Sequence, residues 1–207
     1  MTTETTDRPL YTLREDWDAF SEEVEKCRFS GPCAADKLLL LSKRVGSKRL
    51  KTVTRLLKGV RSFGCKVEFD CVEDGADTPF EPDDSCNGVF MELDHWIHLD
   101  LGKMKYWKNV EEVLAHEAVH LCQCVVFKGD RTGDDDMEIS MDRIWSFYDT
   151  EKYRKWLDDT SEEEFPIYEV EAYSEMHRPK GVACSLEYLH SRPELWEGTY
   201  YCPAFPE

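Results

Sequence analysis

Two histidines and a glutamate form the most chemically suggestive pattern in this sequence. His116-Glu117-Ala118-Val119-His120 has the form His-Glu-x-x-His, written HExxH below. Residues four apart lie on one face of an α-helix, so both imidazoles can reach one ion. Two neutral imidazole nitrogens suit zinc, and Glu117 stands where its carboxylate can hold a metal-bound water. The pattern predicts a zinc site held by His116 and His120, with Glu117 as general base.

The motif falls inside the strongest predicted helix, residues 109–126. The apolar stripe of this helix consists of Val110, Leu114, Ala118, Leu121 and Val125. The two histidines are offset from that stripe, as a site that opens into a cleft requires. A surface helix with incidental histidines is the alternative interpretation.

Two histidines leave zinc short of ligands. The motif resembles that of the zincin metallopeptidases and, within them, the gluzincins, in which a glutamate on a downstream helix is the third ligand. Residues 168–173, Tyr-Glu-Val-Glu-Ala-Tyr, resemble the ExxA helix of several small gluzincin families. The resemblance implies Glu169 as third ligand and Ala172 as the small residue that lets the helices approach. Glu171 is the rival, because other gluzincins have Ala directly after the ligand.

The same resemblance, which covers roughly residues 88–178, implies a peptidase with one zinc ion per chain. In such an enzyme Glu117 takes a proton from the zinc-bound water and passes it to the leaving amine. The oxyanion needs a second donor besides the metal. Tyr173 and His177 follow Glu169 at intervals of four, so both are candidate catalytic residues, with ordinary packing as the alternative.

Other side chains that can bind metals have weaker support. His95 and His98 fall on a predicted strand, where a surface or core role is favoured. Cys124 could offer a thiolate, but a third ligand on the same helix cannot easily complete a tetrahedron. Asp100 and Asp142 are candidate partners for the N–H groups of the histidine ligands.

The elements around the motif predict an α+β fold. Helices are predicted over residues 13–27, 33–45, 48–60, 109–126, 137–148, 151–158 and 167–177, and strands over 65–71, 88–93 and 95–101. Pro179 and Gly181 are expected to close the last helix. We therefore expect a zincin-like, mostly helical domain with a small mixed or antiparallel sheet of about three strands beside the HExxH helix.

The resemblance also bears on the substrate. Zincins place an edge strand just before the active-site helix, and residues 95–101 occupy that place in this chain. An exposed sheet edge can take an extended peptide as an added strand. A peptide or protein substrate is therefore expected rather than a small molecule.

Composition limits the classes of function. A chain of 207 residues can bury one core, so residues 12–207 are expected to form a single domain with a helical extension over 12–62, after a flexible tail at 1–11. The net charge of −17 argues against binding to nucleic acid or to anionic membranes. The polar N-terminus lacks the features of a signal peptide, so a cytoplasmic location with mostly reduced cysteines is expected.

The charge is unevenly distributed along the chain. Residues 37–66 contain ten Lys or Arg and no Asp or Glu, which indicates either a solvated helix face or a docking surface for an acidic partner or a second copy.

Two functions other than a zinc peptidase stay open. One is a non-catalytic zinc-binding protein on a zincin scaffold, which binds a basic partner through the acidic loop at 73–87. The other is an acidic decoy that mimics nucleic acid.

Overall fold

The computed structural model describes residues 12–31, 33–71, 87–91, 94–127 and 167–195. The helices are α1 (Arg14–Val24), α2 (Ala34–Ser42), α3 (Ser47–Ser62), α4 (Trp107–Phe127), α5 (Ile167–Glu175) and α6 (Pro179–His190). The strands are β1 (Arg28–Phe29), β2 (Lys66–Asp70), β3 (Gly88–Met91) and β4 (Trp96–Asp100). The predicted mostly helical α+β class is confirmed. The predicted helices at 137–148 and 151–158 and nearly all of the acidic loop lie outside the described residues.

The sheet has four strands in the order β1-β2-β4-β3. β1 and β4 pair with β2 in parallel, and β3 pairs with β4 in antiparallel, so the sheet is mixed. The expectation of about three strands was one short, because β1 has only two residues and shows no recognisable alternation. Of the two arrangements that were expected, mixed or antiparallel, the sheet has the mixed one.

The position of β4 corrects the expected substrate edge. β4 lies between β2 and β3, so residues 95–101 are internal to the sheet, and Ile97 and Leu99 are fully buried. The strand at that edge of the described sheet is β3, which folds back antiparallel along the outer side of β4. Order along the chain does not determine order across a sheet, and this is why the prediction was wrong.

α4 is the central helix of the described structure. It packs against β3 and β4 on one side and against α3, α5 and α6 on others. All five residues of the predicted apolar stripe are buried, namely Val110, Leu114, Ala118, Leu121 and Val125. None of the described helices is long and apolar enough to cross a bilayer.

α6 was not expected. Pro179 does not close a helix but opens one, because proline at the first helical position has no N–H to lose and a favourable φ. α6 packs closely on α3, since a Cβ atom at Gly59 would lie 2.8 Å from Leu186 Cβ. The segment from 179 to 190 therefore belongs to the core.

The basic segment at residues 37–66 forms ion pairs with acidic residues of the same chain. Four of its cations form ion pairs with residues of α1, α4 and α6, namely Lys51 with Asp16, Arg61 with Glu23, Arg49 with Glu111, and Arg55 with Glu187. α3 is thus more than a solvated face. A disulfide between Cys33 and Cys71, with Cα atoms 6.5 Å apart, ties the start of α2 to the end of β2.

Candidate metal centre

Three donor side chains from two helices converge beside α4. His116 and His120 lie on consecutive turns of α4, and Glu169 lies in the first turn of α5. The Nε2 atoms of the histidines are 3.1 Å apart. Glu169 Oε2 lies 3.3 Å from Nε2 of His116, and its Oε1 lies 3.4 Å from Nε2 of His120. These three residues form a group that can hold a metal ion.

The donor set fits zinc in both spacing and chemistry. Ligand atoms bound tetrahedrally at about 2.0–2.1 Å lie about 3.3–3.4 Å from one another. The distance between the two Nε2 atoms and the distance from each Nε2 to its nearer carboxylate oxygen are close to this value. With one ligand atom taken from each residue, the three atoms lie within 4.8 Å of one another. Two imidazoles and one carboxylate are also a common protein ligand set for catalytic zinc, which keeps a fourth position for water or substrate. We refer to His116, His120 and Glu169 as the triad.

The charges within the triad favour a bound cation. Hydrogen bonding to the two histidines holds the pKa of the Glu169 carboxyl far below its usual range, so this group is an anion. Burial lowers the pKa of His120, but the Glu169 and Glu117 carboxylates outweigh burial and raise it. Two carboxylates therefore face the pair of imidazoles, and a divalent cation would complement them.

The structure groups Glu169, and not its rival Glu171, with the histidines. The side chain of Glu171 is almost completely buried, and its Oε2 accepts a hydrogen bond from Gln123 Nε2 at 2.8 Å. Two residues apart on a helix, Glu169 and Glu171 point in different directions. Glu171 therefore lies behind the triad rather than in it.

Glu117 is buried between α4 and the edge strand β3. Burial raises the pKa of its carboxyl above the usual range, although the two histidine rings act in the opposite direction. The carboxylate accepts a hydrogen bond from the backbone N–H of Phe90. Glu117 thus lies beside the triad and against β3 at once.

Gly88 makes this close approach possible. A Cβ atom at position 88 would lie 2.4 Å from Val113 Cγ1 and 2.7 Å from Glu117 Oε1. Real Cβ atoms do not come so near to other heavy atoms, so any other residue at position 88 would force the side chains of Val113 and Glu117, or the strand itself, to shift. No pattern in the sequence singles out this residue.

Every second residue of β3 turns its backbone N–H and C=O groups away from β4. The N–H of Asp100 donates to the carbonyl of Asn87 at 2.9 Å, so these two residues form a hydrogen-bonded pair. Hydrogen-bonded and non-hydrogen-bonded pairs alternate along antiparallel strands. Gly88 and Phe90 therefore turn their N–H and C=O groups outward, and the N–H of Phe90 meets Glu117 there.

Tyr173 and His177, the two candidate oxyanion donors, contact α4 one helical turn apart. The ring of Tyr173 lies 4.7 Å from the ring of His116, and 46% of Tyr173 is exposed. His177 lies just beyond α5, with its Nδ1 2.7 Å from Glu112 Oε1 and 63% of its side chain exposed. Neither residue offers a ligand atom to the triad, and their catalytic roles stay predictions.

Gln123 is a second residue of this site that the sequence did not indicate. Its Oε1 lies 2.9 Å from Nδ1 of His120. Asp100 was a candidate for that place, but its carboxylate accepts from the N–H of Gly102 and caps the turn after β4. Asp142, the other candidate, lies outside the described residues. The available signal was spacing, because Gln123 follows the second histidine by three on the same helix.

The remaining histidines and Cys124 lie apart from the triad. His98 is buried and pairs through Nδ1 with Asp70 Oδ2 at 3.1 Å, while His95 is buried at a turn residue with φ of 51°. Both positions agree with the core role that was favoured for them. Cys124 is buried and is not a member of the group that can hold a metal.

Comparison of this chain with protein-family models, with curated proteins and with solved structures finds no match. What is established is thus local and geometric. A His-His-Glu group that can hold a metal ion lies between two helices of a mostly helical α+β protein.

Proposed function

We propose that this protein is a zinc-dependent metallopeptidase of the gluzincin type. The observation that carries the proposal is the convergence of Glu169 on the two HExxH histidines at 3.3 and 3.4 Å. These residues would hold one zinc ion. Bound there, zinc would supply a Lewis acid that polarises a carbonyl and lowers the pKa of a water.

Glu117 is the general base in this proposal. An efficient proton carrier has a pKa near the working pH, and burial moves the pKa of this carboxyl upward from its usual range. Its carboxylate takes a proton from the attacking water and gives it to the leaving amine. The Phe90 N–H and the close approach at Gly88 hold the carboxylate in place.

The edge strand β3 supports a peptide substrate. β3 is the edge strand of the described sheet on this side, and Gly88 and Phe90 bring it against Glu117. An extended peptide that lies along this strand would bring its own carbonyl groups past the base and the triad. The sequence had suggested β4 as the strand that binds the substrate, and we propose β3 instead.

Tyr173 and His177 are the proposed donors to the oxyanion. Tyr173 contacts a triad histidine and keeps nearly half of its surface exposed, so its hydroxyl is accessible to a ligand. His177 is held at Nδ1 by Glu112, which leaves Nε2 for another partner. Removal of one such donor typically slows acyl transfer by about a hundredfold or more.

The test combines metal analysis with hydrolysis. Purified protein is expected to carry about one zinc per chain and to cleave casein or a peptide library until a chelator is added. Glu117→Gln should keep the zinc and lower hydrolysis by about a hundredfold or more. Glu111→Gln is the matched control, because Glu111 is a buried carboxylate on the same helix that pairs with Arg49 instead.

Two results would contradict the proposal in different ways. Native protein without any affinity for zinc would remove the metal site. A zinc-loaded protein without chelator-sensitive cleavage of any substrate would instead favour the non-catalytic zinc-binding alternative.

A further inference from the structure

A short polar chain runs through the interior behind one triad histidine. Nδ1 of His120 lies 2.9 Å from Gln123 Oε1, and Gln123 Nε2 donates to Glu171 Oε2 at 2.8 Å. Gln123 and Glu171 are each only 2% exposed. Polar groups buried this deeply are costly unless they are hydrogen-bonded, so this pairing is a specific feature of the fold.

The donor and acceptor roles in this chain follow from the orientation of the Gln123 amide. Gln123 donates through its amide NH₂ to Glu171 Oε2 and turns its amide oxygen toward Nδ1 of His120. Because an amide oxygen can only accept, Nδ1 of His120 must carry a proton. Nε2 is then the ring nitrogen that faces the triad.

His116 provides an internal contrast. In the described part of the chain, its Nδ1 is buried and has no hydrogen-bond partner. The two histidines of the motif therefore differ, since one is oriented by a buried chain and the other by packing against Tyr173.

The chain also connects the two helices that supply the triad. His120 and Gln123 belong to α4, while Glu171 belongs to α5 and follows Glu169 by two residues. Contacts between the helices therefore occur on both sides of His120, through Glu169 at Nε2 and through Gln123 and Glu171 at Nδ1.

We propose that Gln123 and Glu171 are positioning residues that hold the ring of His120 through a hydrogen bond from its Nδ1 and so aim its Nε2 at the metal. The proposal rests on the metal site of the proposed function but not on peptide hydrolysis. Groups that orient a ligand in this way typically change metal affinity by about 10–100-fold when they are removed.

The first test reads the protonation of Nδ1 directly in the metal-free protein. Nitrogen-15 NMR of the histidine side chains should show His120 protonated at Nδ1, and Gln123→Leu should abolish this preference while the signals of His98 stay unchanged. His98 is a suitable reference because its Nδ1 pairs with Asp70. An unprotonated Nδ1 of His120 in the wild type, or unchanged protonation of Nδ1 in Gln123→Leu, would overturn the proposal.

The second test measures zinc affinity by competition with a chromophoric chelator. Gln123→Leu and Glu171→Leu should each weaken zinc binding about 10–100-fold, and the double variant should lose no more than the larger single loss. Glu171→Gln should lose less, because its amide oxygen can still accept. Glu111→Gln, the buried control on α4, should bind zinc as the wild type does. Additive losses, or unchanged affinity in folded variants, would overturn the proposal.

Circular dichroism of each variant checks the fold. If the leucine variants do not fold, the nearly isosteric Glu171→Gln still decides the matter, since it should lower the fraction of His120 that is protonated at Nδ1, and an unchanged fraction would contradict the proposal. The outcomes for the two proposals are separable. Zinc binding that depends on Gln123 without any hydrolysis would keep the positioning role and remove the peptidase.

Discussion

The ring of Tyr173 meets the ring of His116 at a steep angle of 65°, with centroids 4.7 Å apart. This contact is the middle one of three along the α4–α5 pair. Glu169 meets His120 on one side of it, and His177 meets Glu112 on the other. Residue numbers rise along α5 as those of the contacted residues fall along α4, so the two helices are antiparallel. The contacting residues are four apart along both stretches of chain, which places the proposed ligands and the proposed oxyanion donors in one row.

Tyr173 allows the ring and the hydroxyl to be tested apart. Tyr173→Phe keeps the contact with His116 and removes only the hydroxyl, so zinc affinity should stay unchanged while kcat falls by about a hundredfold with little change in KM. Tyr173→Ala should in addition weaken zinc binding. Steady-state kinetics with a zinc titration check both. Full activity in Tyr173→Phe would assign the residue to packing alone.

Gly88 is predicted to be intolerant of any side chain. Gly88→Ala should destabilise the protein by about 1–3 kcal/mol and lower hydrolysis, because the new methyl group would collide with Val113 and Glu117. Gly181→Ala is the control, since a Cβ atom there would lie 3.8 Å from its nearest neighbour and alanine favours the helix. Urea denaturation should show a loss for the first and a neutral or slightly positive effect for the second.

The stability of the metal-free protein should depend on pH through Glu171. Burial raises the pKa of this carboxyl from 4.5 to about 7, so the folded state holds its proton in a range where the unfolded chain has lost it. Stability should therefore fall as pH rises from about 4.5 to about 7, by up to about 3 kcal/mol. Glu171→Gln should remove that part of the slope. Urea titrations at pH 5 and pH 8 measure it, and the same slope in the variant would contradict the assignment.

Two arginines of α3 form ion pairs that should differ in how much they contribute to the free energy of unfolding. Arg61 contacts Glu23, which is 1% exposed, whereas Arg55 and Glu187 are both well exposed. Arg61→Met should cost about 3 kcal/mol because it leaves a buried charge, which among the described residues only the exposed Lys26 can then offset. Arg55→Met should cost about 1 kcal/mol or less. Thermal unfolding of both variants compares them, and equal losses would show that Glu23 is not the decisive partner.

The parts that the sequence predicted correctly depend on contacts between near neighbours in one helix. The apolar stripe of α4 and the common face of His116 and His120 follow from the helical repeat alone. Glu169, which lies on a second helix, is the exception: it was predicted from the resemblance of residues 168–173 to the ExxA helix of small gluzincins, and the structure brings it to the two histidines.

The parts that were missed depend on tertiary structure. β3 rather than β4 forms the sheet edge because of how strands distant in sequence pair. Pro179 opens α6 because that segment has α3 to pack against. Gln123 gains its role only from Glu171 on another helix, and a glutamine at that spacing has no distinctive signal by itself.

The separation of the triad residues along the chain has a mechanical consequence. Glu169 follows His120 by about fifty residues, so an ion held by both would act as a reversible cross-link that closes a long loop. Closing such a loop removes conformational entropy from the unfolded chain, and binding energy at the site becomes folding energy. Bound zinc would then stabilise the folded protein as well as take part in catalysis. The melting temperature would therefore rise with the fraction of the protein that carries zinc.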